Sequence, residues 1–511
     1  MKLGAGRGEE NMLKPTTDPS VTTGLSEAIE FLLPALEEFM RFEDQDLAAS
    51  EHARWFSSLN EALPGRGRGA EPTLRVLKEV VIPCGLRIGA PGFAGWVTTM
   101  PTVVPTAAAL AASIAGAQRW WVQPFNFLEY LALEWLKELL GLPASYQGTF
   151  NSGGSAANLI ALAAARQWAC EQRGLDASRD GLEALVRPRL YASNQVHHVV
   201  SRAAAVLGLG RRAMIQLPTD RGLRLDVDAL RDRLRQDKAD GCTPIAVIAS
   251  AGTVNTGAID PLDEILQVCR DESVWLHVDG AYGGFGILDP EVAPLLRGLA
   301  EADSVAVDPH KWLAVPLGCG ATFVRDRALL GRALTLEPAE YLEGAASPEE
   351  RVGSQFDGLG YPFHDFNLEQ SARSRGVTVW AALYEMGAEG MRARVRRHNS
   401  YARRLAELVE ASPVLELVAP VTLSICCFRY VPAQLQGGNG DGKTLNSLNR
   451  EILRRLHREH HHIPSGTEIN GQFAIRACYI NPRTTPTDVA GLASSVERIG
   501  AETWARFTPG D

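Results

Sequence analysis

Val305-Ala306-Val307-Asp308-Pro309-His310-Lys311-Trp312 is the stretch around which the chain is organised. A short apolar run rich in valine reads as a buried strand. It stops at Pro309, which cannot donate to a sheet ladder. A histidine, a lysine and a tryptophan follow directly. A lysine at the end of a buried strand is unusual, because burial disfavours its charged form. Only the neutral amine attacks a carbonyl, so such a position suits a nucleophilic lysine. The same pattern also fits a lysine that turns back to solvent at a strand end.

A second strand points to the same place. Val274-Trp275-Leu276-His277-Val278-Asp279-Gly280-Ala281-Tyr282 begins apolar and ends in a carboxylate. Asp279 precedes Lys311 by 32 positions, enough for one crossover helix between parallel strands. A carboxylate and a lysine at neighbouring strand ends face one crevice, where open α/β sheets bind ligands. Pyridoxal 5'-phosphate needs this pair: the lysine holds its aldehyde as an imine, and the carboxylate keeps its ring nitrogen protonated. A plain capping role for Asp279 is the competing reading.

With these two stretches the chain resembles the group II pyridoxal-phosphate-dependent amino-acid decarboxylases, the family that acts on aromatic amino acids, glutamate, histidine and cysteine sulfinate. The resemblance runs over roughly residues 80 to 500. It implies an α/β fold of type I, with a mostly parallel large-domain sheet and a small C-terminal α+β domain. The alternation of strands and helices from 148 to 324 points the same way without it. Three parts are expected: an N-terminal helical segment over 1–100, a large cofactor-binding domain over 101–395 and a small domain over 396–511.

Composition sets outer limits. The 511 residues are 45% hydrophobic, ample for a large core. A net charge of −9 without a basic block argues against nucleic acid. Eight scattered cysteines form no C-x-x-C pair, which fits neither zinc nor a disulfide framework and suits a reducing compartment. The charged N-terminus lacks an apolar signal core. The apolar stretch from Thr102 to Ala117 is broken by Pro105 and is short for a membrane span. A cytoplasmic enzyme without a membrane or nucleic-acid partner is the expectation.

Residues 1 to about 20 lack periodicity and read as disordered. Ser26 to Phe42 carries apolar residues at helical spacing. In the resembling family this segment packs across a partner subunit, implying a homodimer; alone, it fits equally a helix folded back on its own domain. Pro91-Gly92-Phe93-Ala94-Gly95-Trp96 is turn-rich, and the resemblance makes Phe93, Trp96 and Thr99 candidates for contacting the substrate side chain. Aromatics packed under a loop would look the same.

Gly148-Thr149-Phe150-Asn151-Ser152-Gly153-Gly154-Ser155 leads into a helix. Free N–H groups at a helix start and a serine hydroxyl make an anion site, and the resemblance assigns Gly153, Gly154 and Ser155 to the cofactor phosphate. His197 stands just past the strand Arg189 to Ser193 and matches the histidine that lies flat on the cofactor ring. It could also bond the substrate carboxylate or move a proton. Ala251-Gly252-Thr253-Val254-Asn255 follows another strand. Val254 stands where the family usually has a cofactor-touching threonine, which leaves Thr253 or Asn255 to supply the contact. Ala281 and His310 join the cofactor set through the motifs that contain them. Tyr341, in a stretch rich in small and polar residues, matches the mobile-loop tyrosine that protonates the product carbon, favouring amine over aldehyde.

Three features lead elsewhere or nowhere. Gly437 to Thr444 formally fits a phosphate-binding loop, but no strand directly precedes it, so it reads as a surface loop. His460-His461-His462 cannot share a helix face and reads as a solvated helix end rather than a metal site. Arg476 matches an arginine common in the family's small domain, with no firm role. Other type I chemistry, an acidic substrate and a non-catalytic paralogue remain open alternatives to decarboxylation of an aromatic or other non-acidic amino acid.

Overall fold

A computed structural model of the chain describes residues 23–42, 52–116, 123–183, 185–334, 361, 363–438 and 442–506. The chain forms two compact units, Met1–Arg87 and Ile88–Asp511. In the first, the helix Leu25–Phe39 falls where helical spacing places it. Tyr341, Trp120 and Trp121 lie outside the described residues.

The second unit holds a seven-stranded sheet in the order Gln147–Asn151, Gly320–Val324, Ser304–Val307, Trp275–Asp279, Thr243–Ser250, Pro188–Ser193 and Met214–Leu217. The last five in this order run parallel, and Gly320–Val324 is antiparallel to both of its neighbours. The central strands are buried on both faces, which is why they read as unbroken apolar runs rather than alternating ones. Register aligns Ser250 with Asp279 and Asp279 with Ala306. Three strand ends therefore open at one edge, and the lysine stretch follows the last of them. Pro309 is the first residue of a short helical turn, where its missing N–H costs nothing.

A second sheet runs Phe93–Ala94, Ile463–Ile469, Gln472–Cys478, Ile425–Tyr430 and Leu415–Leu417. Its first pair is parallel and the others antiparallel. Val489, Val496, Leu448 and Ile452, from the helices Pro486–Trp504 and Gly442–Glu459, share a core with Phe428 and Ile475 of this sheet.

One local expectation needs correction. The connection from Asp279 to the next strand holds no crossover α-helix. It consists of three short 3-10 segments, Gly283–Leu288, Ala293–Leu296 and Leu299–Glu301. Close packing explains this: a Cβ at Gly283 would meet the carbonyl of Ala251 at 2.3 Å, and one at Gly286 would meet Leu423 at 2.7 Å. A long helix begins at Gly376, and just before it Arg373 and Arg375 donate to the carbonyls of Leu317 and Gly318. No helix among the described residues is long and apolar enough to cross a membrane, and none of their side-chain clusters could hold a metal ion.

Candidate active site

The edge where the parallel strands end opens into a cavity of about 950 Å³. Every residue expected to meet the cofactor lines it: Gly153, Gly154, Ser155, His197, Thr253, Asp279, Ala281, His310 and Lys311. Trp96 is at its wall, 59% exposed. Phe93 and Thr99 are not among its lining residues. Phe93 is buried in the second sheet with its ring centroid 6.0 Å from that of Trp96, and the Thr99 hydroxyl is buried against the carbonyl of Met100. Of the three substrate candidates only Trp96 reaches the space, and Phe93 supports it from behind.

Lys311 sits one helical turn after Asp308, and its Nζ is 3.0 Å from Asp308 Oδ2. The other oxygen of this buried carboxylate, Oδ1, has no hydrogen-bond partner among the described residues. No motif assigns Asp308 a role; its position three residues before Lys311 is the signal that points to it. His310 faces the same carboxylate at 3.8 Å and is oriented by a 2.7 Å bond between its Nδ1 and the carbonyl of Cys319.

Asp279 is only 9% exposed, and its Oδ1 accepts the Ala281 N–H at 3.1 Å. His277, two residues earlier on the same face of the strand, is fully buried between Asn158 and Ser304. Its Nε2 lies 2.9 Å from Asn158 Oδ1 and its Nδ1 2.9 Å from Ser304 Oγ. Burial pushes its pKa down to about 4. As a neutral ring it donates to Asn158 and accepts from Ser304, tying the Asp279 strand to the helix Gly154–Glu171.

That helix begins at the cradle. Gly153 has φ +124, in the region that favours glycine. Asn151 Oδ1 accepts its N–H at 3.1 Å and so shapes the turn. A Cβ at Gly154 would stand 2.8 Å from Asp308 Oδ2, so glycine is needed there for close approach. Unpaired N–H groups at the start of an 18-residue helix attract an anion.

His197 is held by its own loop: its Nδ1 accepts the Val199 N–H at 3.3 Å, which leaves the proton on Nε2. Burial lowers its pKa, partly opposed by the charge of Asp279. His198 lies beside it, ring centroids 4.4 Å apart.

The far wall comes from the second sheet and from the helix Gly442–Glu459: Ser465 and Thr467 of the sheet and His457 of the helix, none singled out from sequence, line the cavity with Arg476. The Arg476 guanidinium donates to the carbonyls of Asn255 at 3.0 Å and Trp96 at 3.1 Å, to that of Val254, and to Ser465 Oγ at 3.0 Å. These partners arrive from segments hundreds of residues apart, beyond the reach of any local pattern.

The site suits pyridoxal phosphate. It offers an amine, a buried carboxylate, a glycine cradle at a helix start and enough volume for cofactor and substrate together. The conserved domain of pyridoxal-dependent decarboxylases matches residues 97–431. An aromatic-L-amino-acid decarboxylase of Bacillus atrophaeus is 32% identical over 455 residues, 87% of this chain and 88% of its own. An L-2,4-diaminobutyrate decarboxylase of Rhizobium meliloti (strain 1021) is 29% identical over 446 residues, 86% of this chain and 84% of its own. The crystal structure of Oryza sativa TDC with PLP and tryptamine superposes with a TM-score of 0.84 at 24% identity, covering 94% of this chain and 99% of that one, and so shares its fold. A fold type I enzyme with its lysine, acid and glycine cradle on one cavity, this chain belongs to the pyridoxal-dependent decarboxylase family.

Proposed function

We propose that the chain releases carbon dioxide from an aromatic L-amino acid and forms the corresponding amine, with Lys311, Asp279, His197 and Tyr341 as its working residues. The observation that carries this is the meeting of Lys311, Asp279 and the Gly153-Gly154-Ser155 cradle on one cavity. Pyridoxal phosphate bound there supplies an aldehyde for the lysine and a ring that accepts the electron pair left by carbon dioxide.

Each side chain has a defined task. The helix start at Gly154 and the Ser155 hydroxyl hold the phosphate. Asp279, with one oxygen fixed by the Ala281 N–H, keeps its other oxygen for the proton on the ring nitrogen. His197, its Nδ1 accepting the Val199 N–H, lines the cavity, where its ring would cover the cofactor and its Nε2–H would bond the substrate carboxylate. Tyr341 or His197 returns a proton to the α-carbon, and Tyr341 favours amine over aldehyde. Thr253 completes the cofactor contacts from the turn after the strand Thr243–Ser250.

The aromatic preference draws on Trp96 at the cavity wall and on the aromatic-L-amino-acid decarboxylase similarity. The diaminobutyrate relative makes a cationic aliphatic substrate the sharpest competitor. An acidic substrate fits less well, because the guanidinium of Arg476 already serves four acceptors. A homodimer fits the helix Val103–Ala115, which carries no charged residue and leaves Val103, Val104, Leu110 and Ile114 exposed. Eight free cysteines suit a reducing cytoplasm.

The test is a panel of L-amino acids, including tryptophan, tyrosine, phenylalanine, glutamate and 2,4-diaminobutyrate, assayed for carbon dioxide and amine. Release from aromatic members is the expected result. Ammonia with aldehyde, or release from glutamate or diaminobutyrate alone, contradicts the proposal.

A further inference from the structure

We propose that Asn255 is a positioning residue of this site, clasping the second sheet to the loop that carries His197. The role rests on reading the cavity as the cofactor site, and it gives Asn255 a task distinct from the cofactor contact, which falls to Thr253. Asn255 lies in the turn after the strand Thr243–Ser250. That turn is closed on itself: Thr253 N–H donates to the Ala258 carbonyl at 2.8 Å, Gly257 N–H donates to that of Thr253 at 2.8 Å, and the Thr253 and Thr256 hydroxyls bond at 3.1 Å. A turn satisfied internally leaves the Asn255 side chain to work outward.

It reaches two ways. Its Nδ2 donates to Gln195 Oε1 at 3.1 Å, two residues before His197. Its Oδ1 accepts the Thr467 hydroxyl at 3.2 Å from the strand Ile463–Ile469. Its carbonyl accepts Arg476 Nε at 3.0 Å and the Cys427 thiol at 3.4 Å, both from the second sheet. Asn255, Thr467, Arg476, Trp96 and His197 all line the cavity. One residue thus joins both walls of the space in which the substrate must be held.

Each neutral hydrogen bond contributes modestly to stability, so fixing the walls matters here more than holding the fold together. Lys311 and Asp279 stand on strand ends that Asn255 does not touch. Losing the clasp therefore leaves cofactor capture intact and loosens the His197 plate and the substrate wall.

The experiment compares Asn255→Leu, which keeps the volume and removes the polar atoms, with Asn255→Asp. Aspartate keeps the acceptor for Thr467, and Gln195 can turn its amide to donate to it. Three quantities are read: the cofactor dissociation constant, the visible circular dichroism of the bound cofactor, and KM and kcat for the best amino acid of the panel. For Asn255→Leu the expected result is a cofactor constant within twofold of wild type, a weakened visible dichroic band, and kcat/KM lower by about 30-fold, mostly through KM. Asn255→Asp stays within about threefold of wild type. Three outcomes overturn the proposal: Asn255→Leu indistinguishable from wild type, Asn255→Asp as impaired as Asn255→Leu, or cofactor affinity falling in step with activity. If Asn255→Leu does not fold, Thr467→Val removes one tie and is judged by the same signs at about fivefold in kcat/KM. Cofactor titration and dichroism need no substrate, so they decide the matter even if the panel finds no amino acid that is decarboxylated.

Discussion

Replacing Gly320 with alanine places one methyl group against the back of the glycine cradle. Gly320 opens its strand opposite Asn151. A Cβ there would lie 2.6 Å from Asn151 Oδ1 and 2.7 Å from the Cα and carbonyl carbon of Gly153. Neither neighbour is free to swing away. Asn151 is held by the Gly153 N–H at 3.1 Å and by Thr322 Oγ1 at 3.1 Å. Restoring an ordinary 3.4 Å contact from 2.7 Å moves the Gly153 backbone by about 0.7 Å. That is enough to misalign the N–H groups at the helix start. Overpacking of this kind costs about 1–3 kcal/mol. If the cradle absorbs it, cofactor affinity falls between about 5-fold and 150-fold. The assay is absorbance or fluorescence titration of the apo-protein with pyridoxal phosphate. Gly442→Ala serves as control, since nothing lies within 4 Å of its Cβ position. A folded Gly320→Ala protein with wild-type cofactor affinity would refute the placement of the phosphate at Gly153, Gly154 and Ser155.

Further outcomes are expected. Asp279→Asn keeps the shape and the Ala281 contact but loses the charge. A close ion pair near a protein surface is worth about 4 kcal/mol, so kcat should fall about 1,000-fold while some cofactor is retained; unchanged turnover would defeat its role. His277 is neutral in the fold, with its pKa pushed down to about 4. Stability from this group is therefore complete above about pH 6.5 and lost as pH falls towards 4, by about 3 kcal/mol. Denaturation midpoints across that window should show the loss, and His277→Gln should shrink it; an identical acid slope in the variant would count against the buried neutral ring. Trp96→Ala should raise KM for an aromatic substrate about tenfold with little change in kcat. Equal losses in KM for aromatic and aliphatic amino acids would remove Trp96 as the source of the preference.

The cofactor end of the cavity was legible because its residues follow strands directly. Asp279 and Lys311 stand at or just beyond the ends of apolar runs, and the parallel pairing of those runs brings them to one edge. The Gly153 turn was legible mainly through the resemblance, because glycine and serine at a helix start also serve as ordinary caps. The substrate end was not. Phe93 and Trp96 sit three positions apart, yet one is core and the other lines the cavity, because Phe93 pairs with Ile463 in a sheet assembled from the far end of the chain. The same distance hid Thr467 and Asn255 from each other. The missing crossover helix has a local cause. Gly280, Gly283, Gly284 and Gly286 follow one another closely, a run that disfavours α-helix and permits the tight packing observed.

The central claim is a covalent one: Lys311 Nζ is the atom that captures the aldehyde of pyridoxal phosphate. Borohydride reduction of the cofactor-loaded protein, followed by proteolysis and mass mapping, tests it most directly. A reduced pyridoxyl group on the peptide containing Lys311 is the predicted result, and a label on any other lysine, or on none, would contradict the account.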